Sequence, residues 1–586
     1  MKKSILLFAI TFLSYFAYAQ TPSFTWVKQM GKFGGFVTPR ATVVDASGNV
    51  ITTGLFKNTI DFDPGAGVSN LTSVNNPSTA NIQNDIFISK VDSNGNFVWA
   101  KQLEGIDLKD ATAVGVDAAG NVYTTGFFYG TVDFDPGVAV SNLTSKGYND
   151  IFISKLDASG NFVWAKQMGS IFGDTGYAIA VDSDGNVFTT GSFSDTCDFD
   201  PNVGVSNRTT LVEGIFIIKL DTNGNFVWAK SMGGIAYNKG RAITLDTTGN
   251  VYVTGTFGGI TDFDPNAGVA NLTSVGSFGG NEDMFVLKLD LNGSYVWSKQ
   301  FSGTGFKFVK GIAVDASGNV FTAGMFSGTV DFNPSAAVGN LSGPTFGDDG
   351  FISKLDLSGN FIWVKQLEGN IRDVASLALD TAGNVYTTGS FFSDLQTDFD
   401  PGVGIYNLSI KHRFDDDTYI LKLDATGSFV WVKQIGGVPS LTAGADTKGK
   451  SIVVDAAGNI YTTGTFGSSV SDSGDFNPDA GVTILTPTGG SADMFVHKMS
   501  QTALGLSIKS IDNNISVYPN PSLGNFNIEI NENLMDSKAT IYNLLGQKIK
   551  DFDLKTPTTN QYLNKGTYLL EIEKSGVKTT KKLIVN

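Results

Sequence analysis

One short sequence, Asn161-Phe162-Val163-Trp164-Ala165-Lys166-Gln167, recurs along most of this chain and limits what the chain can fold into. It reads NFVWAKQ at Asn96, NFVWAKS at Asn225, SYVWSKQ at Ser294, NFIWVKQ at Asn360 and SFVWVKQ at Ser428. A further copy, Phe24-Thr25-Trp26-Val27-Lys28-Gln29, stands alone near the N-terminus. All 7 tryptophans of the chain lie in these copies, at 26, 99, 164, 228, 297, 363 and 431, and successive ones are 64 to 73 residues apart. A fixed period of that size marks a repeat architecture.

Three other landmarks share the period. Asp-x-x-Gly-Asn turns begin at Asp45, Asp117, Asp182, Asp246, Asp315, Asp380 and Asp455. A DF(D/N)P sequence begins at Asp61, Asp133, Asp198, Asp262, Asp331, Asp398 and Asp475, and an apolar strand ending in Lys follows, as in DIFISK at Asp85 and Asp150. In one unit, Ala178–Val181 turns through Asp182–Asn186 into Val187–Thr190. A long connection then leads to a second hairpin around Asp221-Thr222-Asn223-Gly224. Asp caps such a turn and Gly supplies its left-handed residue, so each unit is a four-stranded antiparallel meander.

The strands are apolar at adjacent positions, so both faces of each sheet are expected to be buried, as in sheets packed around an axis. The chain is therefore expected to be all-β, a seven-bladed β-propeller over residues 20–499. The last unit leaves after Phe495–Met499 with no Trp strand, and the unpaired N-terminal copy is what it lacks. The N-terminal strand is expected to complete that unit and close the ring, with the Trp side chains filling the seams.

Residues 1–19 carry Lys2 and Lys3, an apolar run from Ile5 to Phe16 and then Ala17-Tyr18-Ala19, the pattern of a secretory signal peptide cleaved before Gln20. The run is short for a membrane span, and no other segment suits one, so the mature chain is expected to lack a transmembrane segment. Cys197, the only cysteine, excludes an intrachain disulfide and reads as a small apolar filler. Net charge is −15, and setting aside +2 at each end leaves −19 for residues 21–500, which argues against a nucleic-acid partner.

The VD-x-x-GN-V-Y-T-T-G and DIFISKLD-x-x-GNFVWAKQ elements resemble the bacterial SBBP beta-propeller repeat over roughly residues 24–499. That resemblance implies a propeller and no common activity. After a linker at 500–514, residues 515–586 alternate with period two over short strands, which predicts a small Ig-like β-sandwich. The ordered set YPNP, IYNLLGQKI, LNKGTYLLEI and KKLIV resembles the type A C-terminal sorting domain of the type IX secretion system. It implies a Gram-negative bacterium of the Bacteroidota type and partnership with that secretion machinery through 515–586. Release, or attachment to the outer surface, would follow.

Chemistry is harder to locate. The carboxylate pairs Asp61/Asp63, Asp133/Asp135, Asp198/Asp200, Asp262/Asp264 and Asp398/Asp400 could hold Ca²⁺, which favours several oxygen ligands. Asn333 and Asn477 replace the second member elsewhere, and Asp with Pro also shapes turns unaided. No cofactor-binding or catalytic constellation is recognisable; His412 reads as exposed and His497 as structural. Long connections gather on one face, opposite the tight turns, so a ligand site is expected there or at the axial mouth. The chain reads as a binding or adhesion scaffold for a glycan or protein ligand. The alternative is a polysaccharide-active enzyme at the same face.

Overall fold

The computed structural model describes residues 21–501 and 515–586, apart from 75–83, 276–281, 336, 345–346, 393–396, 413–414, 439–444, 468–471, 490–491, 532–533, 544–546 and 575–576. The predicted signal peptide and all but the first residues of the linker lie outside the described residues. The chain divides into two units of contact, one ending at Gln501 and one beginning at Thr502. The described residues form β-strands and turns and no α-helix.

Within the first body the meander recurs as expected. One repeat runs Lys109–Val116, Val122–Phe128, Asp150–Leu156 and Phe162–Met168, paired antiparallel in that order. Its tight turns follow from their sequences. Asp117 Oδ1 accepts the amides of Ala119 and Asn121, Asn121 Nδ2 donates to Asp117 Oδ2, and Gly120 takes φ +83°. Burial pushes Asp117 up, but the Asn121 bonds outweigh it and hold the carboxyl below its ordinary range. The inner strands Asp150–Leu156 and Val187–Phe193 are buried at every position, which is why they are not alternately polar.

The first strand of each repeat packs against the first strands of its neighbours: Phe36–Val44, Lys109–Val116, Thr175–Val181, Asn238–Leu245, Lys307–Val314, Ile371–Leu379 and Thr447–Val454 in succession. Thr447–Val454 also lies against Phe36–Val44. The last repeat has strand order Ser23–Met30, Asp493–Ser500, Ile460–Phe466 and Thr447–Val454. Its register matches the others, with Trp26 opposite Lys498 as Trp164 is opposite Lys155. His497, fully buried there, hydrogen-bonds the Phe476 carbonyl oxygen at 3.0 Å and its ring lies 5.4 Å from Phe24.

The DFDP segments are clasps between repeats. In the second repeat Thr131–Asp133 pairs with Asn142–Thr144, and its Val132 and Asp133 pair with Gly105 and Glu104 of the preceding repeat. In the first repeat Asp61 instead bridges Gly31, just beyond the N-terminal strand. The DFDP phenylalanines anchor the clasp: Phe134 is fully buried, edge-on to Phe128 at 5.4 Å and 5.0 Å from Phe152, and Phe62, Phe199, Phe263 and Phe332 repeat the arrangement.

In the second body, Ile515–Tyr518, Asn525–Ile530 and Thr558–Tyr562 make one antiparallel sheet, and Lys548–Leu554, Ser537–Asn543, Gly566–Lys574 and Val577–Val585 another. Alternate residues of both, including Phe526, Ile528, Ile541, Leu570 and Ile572, share one core. The edge strand Lys548–Leu554 is mostly exposed and carries Lys548, Lys550, Asp551 and Asp553, charges that discourage edge-to-edge pairing.

Candidate functional site

The ten carboxylates singled out from sequence each accept amides of their own loop. Asp61 Oδ1 accepts from Asp63 N and Ser69 N, and Asp63 Oδ1 from Gly65 N at 2.7 Å. Asp133 and Asp135, Asp198 and Asp200, Asp262 and Asp264, and Asp398 and Asp400 repeat this pattern. Asn333 and Asn477 accept the same kind of amide bond, from Ser335 and Asp479, so a neutral carbonyl oxygen serves the turn as well. Among the described residues no three His, Cys, Asp or Glu side chains group as metal ligands.

On the side of the tight turns, Trp and Lys sew adjacent repeats together. Trp164 Nε1 and Lys155 Nζ both donate to the Thr222 carbonyl, at 3.1 and 3.0 Å, in the next repeat's turn. Lys155 also lies over the Tyr123 ring at 4.9 Å, and the Tyr123 hydroxyl donates to Asp117 Oδ2. Trp99 and Lys90 meet Ala158 in the same way, and Trp26 and Lys498 meet Ser93. Trp297 likewise donates to the Leu357 carbonyl, whereas the indole N–H groups of Trp228, Trp363 and Trp431 have no partner among the described residues, so four tryptophans bridge the seams by hydrogen bond.

A second network lies at the other end of the strands. The first Asp of DIFISK is buried and accepts from the Gln of the Trp strand: Gln102 to Asp85 at 2.7 Å, Gln167 to Asp150 at 2.6 Å, Gln29 to Asp493 at 2.7 Å. Lys109, fully buried in the next repeat, pairs with Asp85 at 2.7 Å, and Lys307 with Asp283 at 3.2 Å. Gly214, Ser231 and Asn238 replace all three in one repeat, whereas Asp150 and Asp417 keep their Gln partners with Asp174 and Thr447 in the Lys position. Where Asp174 stands in the Lys position, burial raises its carboxyl to about 6, and the nearby Asp150 charge adds to the effect.

These networks are repeated and therefore belong to the scaffold. The cavity among the first strands is different. It has a volume of about 480 Å³, and every repeat contributes to its lining. Each first strand carries a bulge whose extra residue faces this space: Arg40, Thr112, Tyr177, Arg241, Lys310, Ala375 and Lys450; Ile371–Leu379 has a second bulge, at Arg372, outside the lining. A bulge leaves one residue without a cross-strand partner and re-aims its side chain. The residue after each is small, from Ala41 and Ala113 through Gly311 to Ser376 and Ser451, which leaves the space open.

Four cations (Arg40, Arg241, Lys310, Lys450) and one carboxylate (Asp110) line it, a net of +3 within a chain of −15, and Asp373 lies against Lys310 and Lys450 behind them. Arg40 Nη2 lies 2.8 Å from Asp110, and Lys310 Nζ lies 2.6 Å from Asp373. Burial raises the Asp110 carboxyl although Arg40 opposes it. Burial pulls Lys450 below its ordinary value; Asp373 opposes this, while Lys310, Lys448 and Arg40 add to it. Sequence reasoning named none of these residues. The signal available was the position five residues before each turn Asp, where aligned copies differ in charge and size.

Comparison with known proteins defines the class. A beta-propeller repeat model matches residues 163–192 and 430–465, and a secretion system C-terminal sorting domain model matches residues 516–586. The chain thus carries SBBP-type β-propeller repeats and the C-terminal sorting domain of the type IX secretion system, and it is secreted or attached to the outer surface. It is similar to an uncharacterized WD repeat-containing protein of Acanthamoeba polyphaga mimivirus, 24% identical over 65% of this chain and 32% of that one. The regulatory protein FlaEY of Caulobacter vibrioides is 25% identical over 28% of this chain and 17% of that one. The chain thus spans a third or less of the length of both relatives. Among solved structures, PorZ of Porphyromonas gingivalis, a surface component of the type IX secretion system, matches at 10% identity, covering 96% of this chain and 100% of that one with a TM-score of 0.16. Latent PorU of the same organism matches at 10% identity over 64% and 31%, with a TM-score of 0.11. TM-scores this low assign no shared fold. Among the described residues no helix is long and apolar enough to cross a membrane.

Proposed function

We propose that the mature chain is a seven-bladed β-propeller, closed by its N-terminal strand and followed by an Ig-like sandwich, that serves as a ligand-binding scaffold at the cell surface. Three contacts support closure: the matched register of Ser23–Met30 on Asp493–Ser500, the packing of Thr447–Val454 on Phe36–Val44, and the Gly31–Asp61 bridge. The binding role is carried by one observation. Repeated residues hold the blades together, while the unrepeated bulge residues converge on one open cavity. Catalysis and recognition both need a single distinctive site, which a repeat provides only where its copies diverge. The partner for export is the type IX secretion machinery, acting through residues 515–586. A glycan and protein binding array probed with residues 20–586 tests the reading. Retention of a ligand class that is lost on substituting the cavity residues supports it, and no retained class counts against it.

The second reading, a polysaccharide-active enzyme, draws on Asp110, which lines the same cavity. Turnover of an array hit, abolished by Asp110→Asn, would select it.

A further inference from the structure

The scaffold reading leaves open what chemistry the cavity selects, and Arg241 is the informative residue. Arg40 and Lys310 each have a close carboxylate, and Lys450 lies 3.9 Å from Asp373. Arg241 has no ion pair among the described residues. Its guanidinium lies between the Tyr177 ring at 4.7 Å and the Phe308 ring at 4.8 Å, one from each flanking repeat. Its Nε is out of solvent without a hydrogen-bond partner.

A buried charged donor left unpaired is unfavourable, so something else must hold it in place. Two aromatic faces do so here, because a planar guanidinium stacks on rings and keeps its N–H groups along its edge. Both flat faces are covered, so the edge is what remains for a partner. That fork matches the paired oxygens of a carboxylate, sulfate or phosphate.

We propose, on the basis of the scaffold reading above, that this cavity is an oxyanion site. It takes one carboxylate, sulfate or phosphate group carried by a sugar unit at the end of a glycan. Arg241 is the forked donor, and Lys310 and Lys450 are the point charges beside it. A volume of about 480 Å³ is within the range of sites that hold a small ligand and has room for a sugar ring with its substituent. The acidic body, −19 over residues 21–500, repels a continuous polyanion and so favours a terminal unit over an internal stretch.

Isothermal titration of residues 20–586 with sodium glucuronate, with glucose as its uncharged match and with inorganic sulfate and phosphate, tests this. Glucuronate is expected to bind at least tenfold more tightly than glucose and to weaken as salt rises. Arg241→Met is expected to weaken it at least tenfold while the melting curve stays like that of the unaltered chain. Equal affinity for inorganic sulfate or phosphate also supports the site, and would assign recognition to the oxyanion alone. No binding of any of the three oxyanions by the folded chain overturns the proposal. So does glucuronate binding that matches glucose or ignores Arg241→Met. If Arg241→Met does not fold, Lys450→Met and the salt dependence of the unaltered chain decide. An array ligand whose binding ignores Arg241→Met leaves the scaffold reading standing and removes this site.

Discussion

Replacing Lys109 by Met probes how one repeat is fastened to the next. Lys109 Nζ donates to the carbonyls of Asn84, Gly105 and Asp107 at 2.9, 2.6 and 2.9 Å, besides its pair with Asp85. Burial lowers its pKa and Asp85 opposes that, which is the behaviour of a charge that stays in place because its partner is there. Met fills the same volume but leaves a buried carboxylate with only neutral donors, Val74 N, Gly105 N and Gln102 Nε2. Breaking a buried pair from one side costs about 3–5 kcal/mol. The chain itself supplies the repair, because Gly214, Ser231 and Asn238 occupy the corresponding positions two repeats later. Asp85→Gly, Gln102→Ser and Lys109→Asn introduced together are expected to cost less than Lys109→Met alone. Urea denaturation followed by tryptophan fluorescence measures both. A Lys109→Met cost within about 0.5 kcal/mol of zero, in the range of an exposed pair, would refute the reasoning. A combined variant that is worse than the single one would also refute it.

Deleting residues 21–31 removes the strand beside Asp493–Ser500, and the exposed edge is expected to drive self-association in size-exclusion chromatography, against a monomeric parent. His497, pushed down to about 4 by burial, binds its proton more weakly folded than unfolded, so its contribution is full above pH 6.5 and is lost as pH falls toward 4. At pH 5 the loss is about 2 kcal/mol, and the stability difference between the parent and His497→Phe is expected to shrink by that much between pH 7.5 and 5. The DFDP aspartates serve their own loops, so neither Ca²⁺ nor a chelator is expected to move the melting temperature; a calcium-dependent rise of several degrees would make them a metal site. Removing residues 515–586 is expected to hold the protein in the periplasm, checked by cell fractionation, and normal surface or medium levels would count against that role of the domain.

What could be read in the sequence was whatever the repeat preserves. Asp-x-x-Gly-Asn states its own turn, since Asp117 and Gly120 can do little else there. The displaced Trp26 pointed to its partner strand because the last repeat ends one strand short. The buried Asp and Gln stood within repeated landmarks, but their meaning, and Lys109 itself, needed the pairing that brings Lys109 back to Asp85. The cavity could not be read from periodicity at all. A bulge adds one residue, which breaks the alternation that sequence patterns follow, and the side chains placed there differ from copy to copy. The DFDP pairs drew attention for the opposite reason: they are repeated, and repetition marks the scaffold.

The proposed closure by the N-terminal strand underlies the account, because the cavity is lined by both the first and the last repeat, through Arg40 and Lys450. Native-state hydrogen exchange tests it most directly. If the strand closes the ring, the paired amides within 24–30 should exchange as slowly as those within 494–499, and both should open only with the whole body. Exchange of 24–30 on the timescale of a frayed terminus, with 494–499 still protected, would contradict it.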